Sequence, residues 1–281
     1  MSGFSPEWLA LREPVDHRSR DAALAALMAD VFAGRETVRI TDLGCGAGSN
    51  LRAMAPLLGR DQAWTLVDHD PRLLDAARER LSAWADHAED RGDVLILGKA
   101  DSRIAVRFRQ ADLVAGLEPV LDDAGDLVTA AALFDLVSAA WIDRFVAALA
   151  ARDLPLYTVL TYDGVETREP AHPADGAVFK AFHHHQATDK GFGPSAGPKA
   201  AALMAEAFAR AGYVVRTATS PWRLSAPADF ALMRSLSEGI AGAARETALV
   251  DPSDLASWER ATASITKQTV GHLDILALPS R

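Results

Sequence analysis

Three glycines fall within five residues, Gly44-Cys45-Gly46-Ala47-Gly48, at a junction between two different periodicities. Upstream, Val38-Arg39-Ile40-Thr41-Asp42 reads as a strand. Downstream, a helix opens at Ser49 or Asn50 and sets Leu51, Met54, Ala55 and Leu58 on one face. Glycine turns the chain tightly there and lets a ligand approach backbone where a Cβ would collide. The spacing is G-x-G-x-G, because the residue three after Gly46 is Ser49 and the third glycine is Gly48. A dinucleotide site asks instead for G-x-G-x-x-G. Asp42 ends the strand two residues before Gly44. A carboxylate there is a poor neighbour for a pyrophosphate and a good one for an ammonium or a sulfonium, so the pattern favours a cationic ligand.

The alternation continues along the chain. Trp64–Asp68 is a second strand, Asp70 an N-cap and Pro71 the first residue of a helix that buries Leu73, Leu74, Ala77, Leu81 and Trp84. Val94–Leu97 reads as an extra strand feeding a third, carried by Ile104, Val106 and Phe108 and ending near Asp112. Asp126–Leu133 is the fourth, Ser138 caps the helix of Trp141 to Leu149, and Leu156–Thr161 is the fifth. Residues 163–198 lose the period and read as an irregular excursion with three histidines. A helix through Leu203–Phe208, closed by Gly212, then leads to a sixth strand, Tyr213–Ala218. Helices at about 227–243 and 253–267 precede a seventh strand through Leu273, Ile275 and Ala277. Strands alternating with helices imply an α/β fold, a seven-stranded, mostly parallel sheet with helices on both faces. The expected organisation is a helical lid over residues 1–35 and one domain over 36–281, with insertions at about 163–198 and 225–270.

Composition excludes several classes. With 49% hydrophobic and 24% charged residues the chain is an ordinary globular one. Its 29 basic against 38 acidic residues leave a net charge of −9, and no basic stripe marks it for nucleic acid. The single cysteine, Cys45, rules out an internal disulfide framework and a multi-cysteine metal site, and fits a reducing compartment. The first residues lack the pattern of a secretion signal, and no run of 18 apolar residues spans a bilayer. The expected location is the cytoplasm. Oligomeric state is not readable.

Asp42-Leu43-Gly44-Cys45-Gly46-Ala47-Gly48 resembles, without a gap, the first motif of class I S-adenosylmethionine (SAM)-dependent methyltransferases. Asp68 matches the acidic residue that ends the family's second strand and holds both ribose hydroxyls. Asp112 stands where an acidic residue faces the adenine amino group, though an aspartate capping a helix is an equal reading. Asp126–Phe134 resembles the family's D-L-V-x-A-x-x-x-L stretch. The likeness covers roughly residues 36–161 well and implies SAM as cofactor. It places the donor against Asp42, Leu43, Gly44, Cys45, Gly46, Gly48, Asn50, Asp68, His69, Asp112, Leu113, Ala130 and Leu133. Many small-molecule members carry His near Phe134-Asp135-Leu136, and this chain has Asp135, so no general base carries over from that position.

The implied activity is methyl transfer to a small-molecule acceptor. The alternatives are transfer to tRNA or protein, and a SAM-binding module without turnover. A hydroxyl or ammonium acceptor would need a base, for which His183, His185, Asp135 and Tyr162 are the candidates. A carboxylate acceptor would need only a positive clamp, for which Arg12, Arg18, Lys190 and Arg223 are candidates; Phe192 is an apolar contact in the same loop as Lys190. His183-His184-His185, read as extended, would face alternate sides, so that at most two converge; no metal is expected. The charged run Arg12 to Arg20 is either a solvated helix face or a lid.

Overall fold

A computed structural model describes residues 4–280 of the chain. Two helices come first, α1 (Pro6–Ser19), capped by the Ser5 side chain, and α2 (Ala22–Val31), capped by Asp21. Then follow β1 (Thr37–Leu43), α3 (Ser49–Met54), β2 (Asp61–Asp68), α4 (Pro71–Trp84), β3 (His87–Asp90), β4 (Leu95–Lys99) and β5 (Ser102–Gln110). The middle of the chain holds α5 (Leu117–Asp122), β6 (Leu127–Ala131), α6 (Ala139–Ala150), β7 (Leu156–Glu169) and α7 (Asp175–Gln186). It closes with α8 (Ala200–Arg210), β8 (Tyr213–Thr219), β9 (Trp222–Ser225), α9 (Phe230–Thr247), α10 (Pro252–Ala261) and β10 (Lys267–Pro279).

One sheet collects the strands in the order β3-β4-β5-β2-β1-β6-β7-β10-β8, with β9 beside β10. The pairs β5–β2, β2–β1, β1–β6 and β6–β7 are parallel, and β10 runs antiparallel between β7 and β8. The seven expected strands are β1, β2, β5, β6, β7, β8 and β10, and six of those seven share one direction. Parallel strands covered on both faces are apolar throughout, and Leu127, Val128 and Ala130 of β6 are accordingly buried. One core lies under α2, α3 and α4; another, under α5, α6 and α8, is built on Phe134, Trp141, Phe145 and Phe208.

Several expectations need correction. The sheet has ten strands: β4 is the expected extra one, and β3 and β9 join it. Residues 163–198 are irregular only in part, because β7 continues to Glu169 and α7 follows, leaving 170–174 and 187–196 as loops. The strand was hidden because Glu166 Oε2 and Arg168 turn inward where apolar residues would normally mark a buried face. Its partner is remote, since Glu166, Thr167, Arg168 and Glu169 pair with Val270, Thr269, Gln268 and Lys267. The final helix is shorter than expected and the final strand longer. The histidine run occupies the last turn of α7, where successive side chains step about 100° around the axis rather than alternating. Histidines suit that position beside the negative end of the helix dipole.

The extensions of β7 and β10, joined by β9, form an antiparallel ribbon beyond the parallel sheet. A third apolar cluster from α7, α9 and α10 packs over it. Arg168 fastens this cap, pairing with Asp175 at 2.8 Å and lying 4.1 Å from the Trp258 ring centre, while Trp258 Nε1 donates to Asp175 at 2.7 Å. Among the described residues no helix is long and apolar enough to cross a membrane.

Candidate active site

The glycine turn sits at the carboxyl end of β1. Gly44, Gly46 and Gly48 have φ of +63°, +52° and +76°, a region that favours glycine because a Cβ there crowds the backbone. Asp68, at the end of β2, holds the turn: its Oδ2 accepts the Gly46 N–H at 2.9 Å and its Oδ1 the Asp70 N–H at 3.0 Å. Asp42 is completely buried. Its Oδ1 accepts from Asn50 Nδ2 at 2.8 Å, and its Oδ2 has no hydrogen-bond partner among the described residues. Asn50 also donates to Thr129 Oγ1 at 3.0 Å and accepts from Arg20 at 2.8 Å. Burial pushes the Asp42 carboxyl up to about 7, against the smaller downward pull of Asn50 and Arg20. Cys45 is buried, which pushes its thiol well above the usual range, and it packs the turn as a small apolar residue.

Other residues expected near the donor spread around this turn. Leu133 lies against Gly44, 3.3 Å from where a Cβ would stand, while Leu43 and Ala130 are buried in the second core. Leu113 is buried and its carbonyl accepts from Trp141 Nε1. Asp112 is exposed and its Oδ1 accepts the Val114 N–H at 2.8 Å, a local turn contact. His69 is mostly exposed, with Nδ1 3.4 Å from Asp68 Oδ1.

Helix α1 roofs the turn. Leu9 Cδ1 lies 3.0 Å from where a Cβ on Gly46 would be. Glu13 takes two hydrogen bonds from Arg52 at 2.6 Å each, and Arg52 also donates to the Ala47 carbonyl at 2.9 Å. His17 Nε2 lies 3.0 Å from Ser49 Oγ. Glu13 and His17 of the charged run are therefore bonded to the glycine-turn helix, while Arg12 pairs with Asp16 and Arg18 with Asp229.

A second group of side chains meets between the end of β7, β9, β10, α1 and α7. The Tyr162 hydroxyl and His183 Nε2 are 2.8 Å apart. Burial lowers the His183 pKa, so its imidazole is neutral near pH 7; burial, followed by the charges of Glu166, Asp163 and Asp135, raises that of Tyr162, which stays a phenol. His272 lies with its ring centre 6.2 Å from that of Tyr162 and 5.0 Å from that of Trp222. Arg12 caps the other side of Trp222 at 5.1 Å and pairs with Asp16 at 2.8 Å. Asp135 is buried, accepts from Gln186 at 3.2 Å, and is pushed up to about 6 by burial. His272 is driven down to about 3, by burial and then by the Arg12 charge. The Nε1 of Trp222 and Nδ1 of His272 are buried without a partner.

The structure thus brings together Arg12, Asp135, Tyr162 and His183 among the expected acceptor-side residues. It does not bring the others to them. His185 pairs with Glu246 at 3.0 Å, Lys190 donates to Thr188, and Phe192 packs edge-on against Trp141 in the second core. Arg18 and Arg223 line a separate cavity. Trp222, His272 and Gln186 were not among the expected site residues, and Asp16 and Arg20 were expected only as part of the run read as a solvated face or a lid. Asp16 and Arg20 lay in a charged run whose partners are distant, and nothing in their local spacing marks the other three. No group of three or more His, Cys, Asp or Glu side chains among the described residues is arranged to hold a metal ion.

No protein-family model matches the chain, and no curated protein matches it. Solved structures do. It is similar to the YcgJ protein of Bacillus subtilis, at 16% identity and a TM-score of 0.53 over 94% of this chain and 99% of that one. A protein named as a candidate methyltransferase of Bacillus halodurans C-125 matches at 13% identity and a TM-score of 0.50, over 92% of this chain and 100% of that one. A SAM-dependent methyltransferase of Thiobacillus denitrificans, solved with S-adenosylhomocysteine, matches at 18% identity and a TM-score of 0.46 over 99% of each chain. The first two likenesses establish a shared Rossmann-like fold.

Proposed function

We propose that this chain is a SAM-dependent methyltransferase acting on a small molecule. The observation that carries the reading is the join of Asp42, the three left-handed glycines and Asp68 at the carboxyl ends of β1 and β2, where doubly wound sheets bind ligands. The residues fit the donor. Asp42 Oδ2 is a buried carboxylate oxygen without a partner, a suitable neighbour for a cation. Asp68, with each oxygen already engaged by one amide, keeps lone pairs for a cis-diol. When bound, SAM supplies an electrophilic methyl group on a sulfonium.

Helices α1 and α2 act as the lid, since Leu9, Glu13, His17 and Arg20 reach the turn and α3 from one side. A ligand reaches Asp42 once α1 lifts, and water is excluded when α1 returns. On the acceptor side, neutral His183 accepts a proton from an acceptor hydroxyl or amine, and Tyr162, which stays a phenol, holds the imidazole in place. The enzyme's main contribution is alignment of donor and acceptor, because the leaving group is a neutral thioether. Cover by α1, α7 and α9 supports a metabolite over a macromolecule.

Calorimetric titration with S-adenosylhomocysteine tests the donor site, with micromolar binding expected; NAD binding in its place would reverse the assignment. Incubation with methyl-labelled SAM and cell extract tests the acceptor. Label in small molecules is expected, label in protein or RNA would move the acceptor class, and label nowhere would leave a binding module.

A further inference from the structure

A cavity of about 390 Å³ opens between the elbow that joins α1 to α2 and the turn that joins β8 to β9. It is lined by Arg18, Ser19, Arg20, Asp21 and Ala22 from the elbow, and by Thr219, Pro221 and Arg223 from the sheet. Its size lies within the range of small-molecule sites. Three arginines line it against a single aspartate, and two of them, Arg18 and Arg223, keep donors uncommitted. Arg223 forms no side-chain hydrogen bond or ion pair among the described residues. Arg18 gives one nitrogen to Asp229 at 2.7 Å. Arg20 gives one to Asn50, while its Nε is buried with no partner.

The two carboxylates of the elbow region, Asp21 and Asp274, are already engaged. Asp21 Oδ1 caps α2 through the Leu24 N–H. Asp274, beneath the elbow, accepts the Asp21 and Leu160 amides and the Ser220 hydroxyl. We propose that this cavity binds a small oxyanion, a carboxylate or phosphate group, and that the bound anion ties the lid's elbow to β9 and so holds α1 over the glycine turn. Guanidinium forks match both anions in geometry. The coupling runs through Arg20, which lines the cavity and whose buried guanidinium reaches Asn50, the partner of Asp42. The site itself stands on the cavity alone; its coupling to the donor rests on the function proposed above.

The test is calorimetry on the full chain with inorganic phosphate and with acetate, each against chloride at equal ionic strength. Saturable millimolar binding is expected, weakened about tenfold in Arg223→Gln and less in Arg223→Lys, with the fold of each variant checked by circular dichroism. The better of the two anions identifies phosphate or carboxylate as the natural group. Absence of saturable binding, or equal binding by wild type and Arg223→Gln, would overturn the site. S-adenosylhomocysteine is then titrated in each buffer. A severalfold tighter affinity in phosphate or acetate, lost in Arg223→Gln, supports the coupling, which by reciprocity must also tighten the anion. Equal affinities in all three buffers overturn the coupling while leaving the site. If phosphate binds and S-adenosylhomocysteine never does, the cavity stands and the methyl-transfer reading falls.

Discussion

The proposed donor side and the proposed acceptor side of this molecule are built on different principles. On the donor side, β1, β2 and β6 run parallel, buried on both faces, and the site is largely backbone: three left-handed glycines and amides gathered by Asp68. On the acceptor side, an antiparallel ribbon from β7, β9 and β10 carries polar side chains inward under a helical cap. There Tyr162, His183, Asp135, Arg12, Trp222 and His272 come from six separate stretches of chain. The difference teaches that a cofactor cradle can be a local device, whereas an acceptor pocket is an assembly.

That contrast can be broken by substitution. His183→Gln should lower kcat by about 10²-fold or more, the usual contribution of a positioned base, with S-adenosylhomocysteine affinity unchanged. Equal losses in both would mean that the two sides are not separable. Asp68→Ala strands two amide donors and removes the expected diol acceptor, and should weaken S-adenosylhomocysteine binding by about 2–4 kcal/mol. Unchanged affinity by calorimetry would take the donor away from β2.

Titration sharpens the same comparison. The Asp42 carboxyl stands at about 7 in the folded protein, above its ordinary 3.8. Its contribution to stability is therefore complete below the ordinary value and is lost as pH rises through about 7. Asp42→Asn escapes that loss and should gain about 4 kcal/mol on wild type between pH 4 and pH 8, measured by urea unfolding. His272, driven down to about 3, behaves oppositely: its contribution is present above the ordinary histidine value and is lost as pH falls toward 3. A constant gap between Asp42→Asn and wild type would show that the carboxyl is not perturbed. The smallest effect belongs to the lid. Glu13→Gln removes the charge that Arg52 grips and should speed S-adenosylhomocysteine release a few fold, about 1 kcal/mol, in stopped-flow experiments. A rate that does not change would argue against α1 as the gate.

Much of the fold was legible, but unevenly. The strand–glycine–helix junction at residues 38–58 and the N-caps Asp70 and Ser138 are written in neighbouring residues, and the structure carries them almost without shift. The long tail of β7 was not, because Glu166 and Arg168 occupy inward positions and their pairing partners lie about a hundred residues away. Helix α7 was missed for a related reason. Its buried face is carried by Val178, Ala181 and Gln186, with Phe179 and Phe182 packed beside it, and that short face ends on a polar residue behind three histidines, which blurs the helical period.

By itself the sequence determined the parallel α/β order, the glycine turn and the two carboxylates beside it, because positive φ and strand or helix period constrain residues a few positions apart. Only the tertiary structure decided that Tyr162 meets His183, that Arg12 faces Trp222, that His185 and Lys190 stay outside, and that three arginines share one cavity. Those meetings depend on packing between elements remote along the chain, and no short-range rule of backbone or periodicity encodes them.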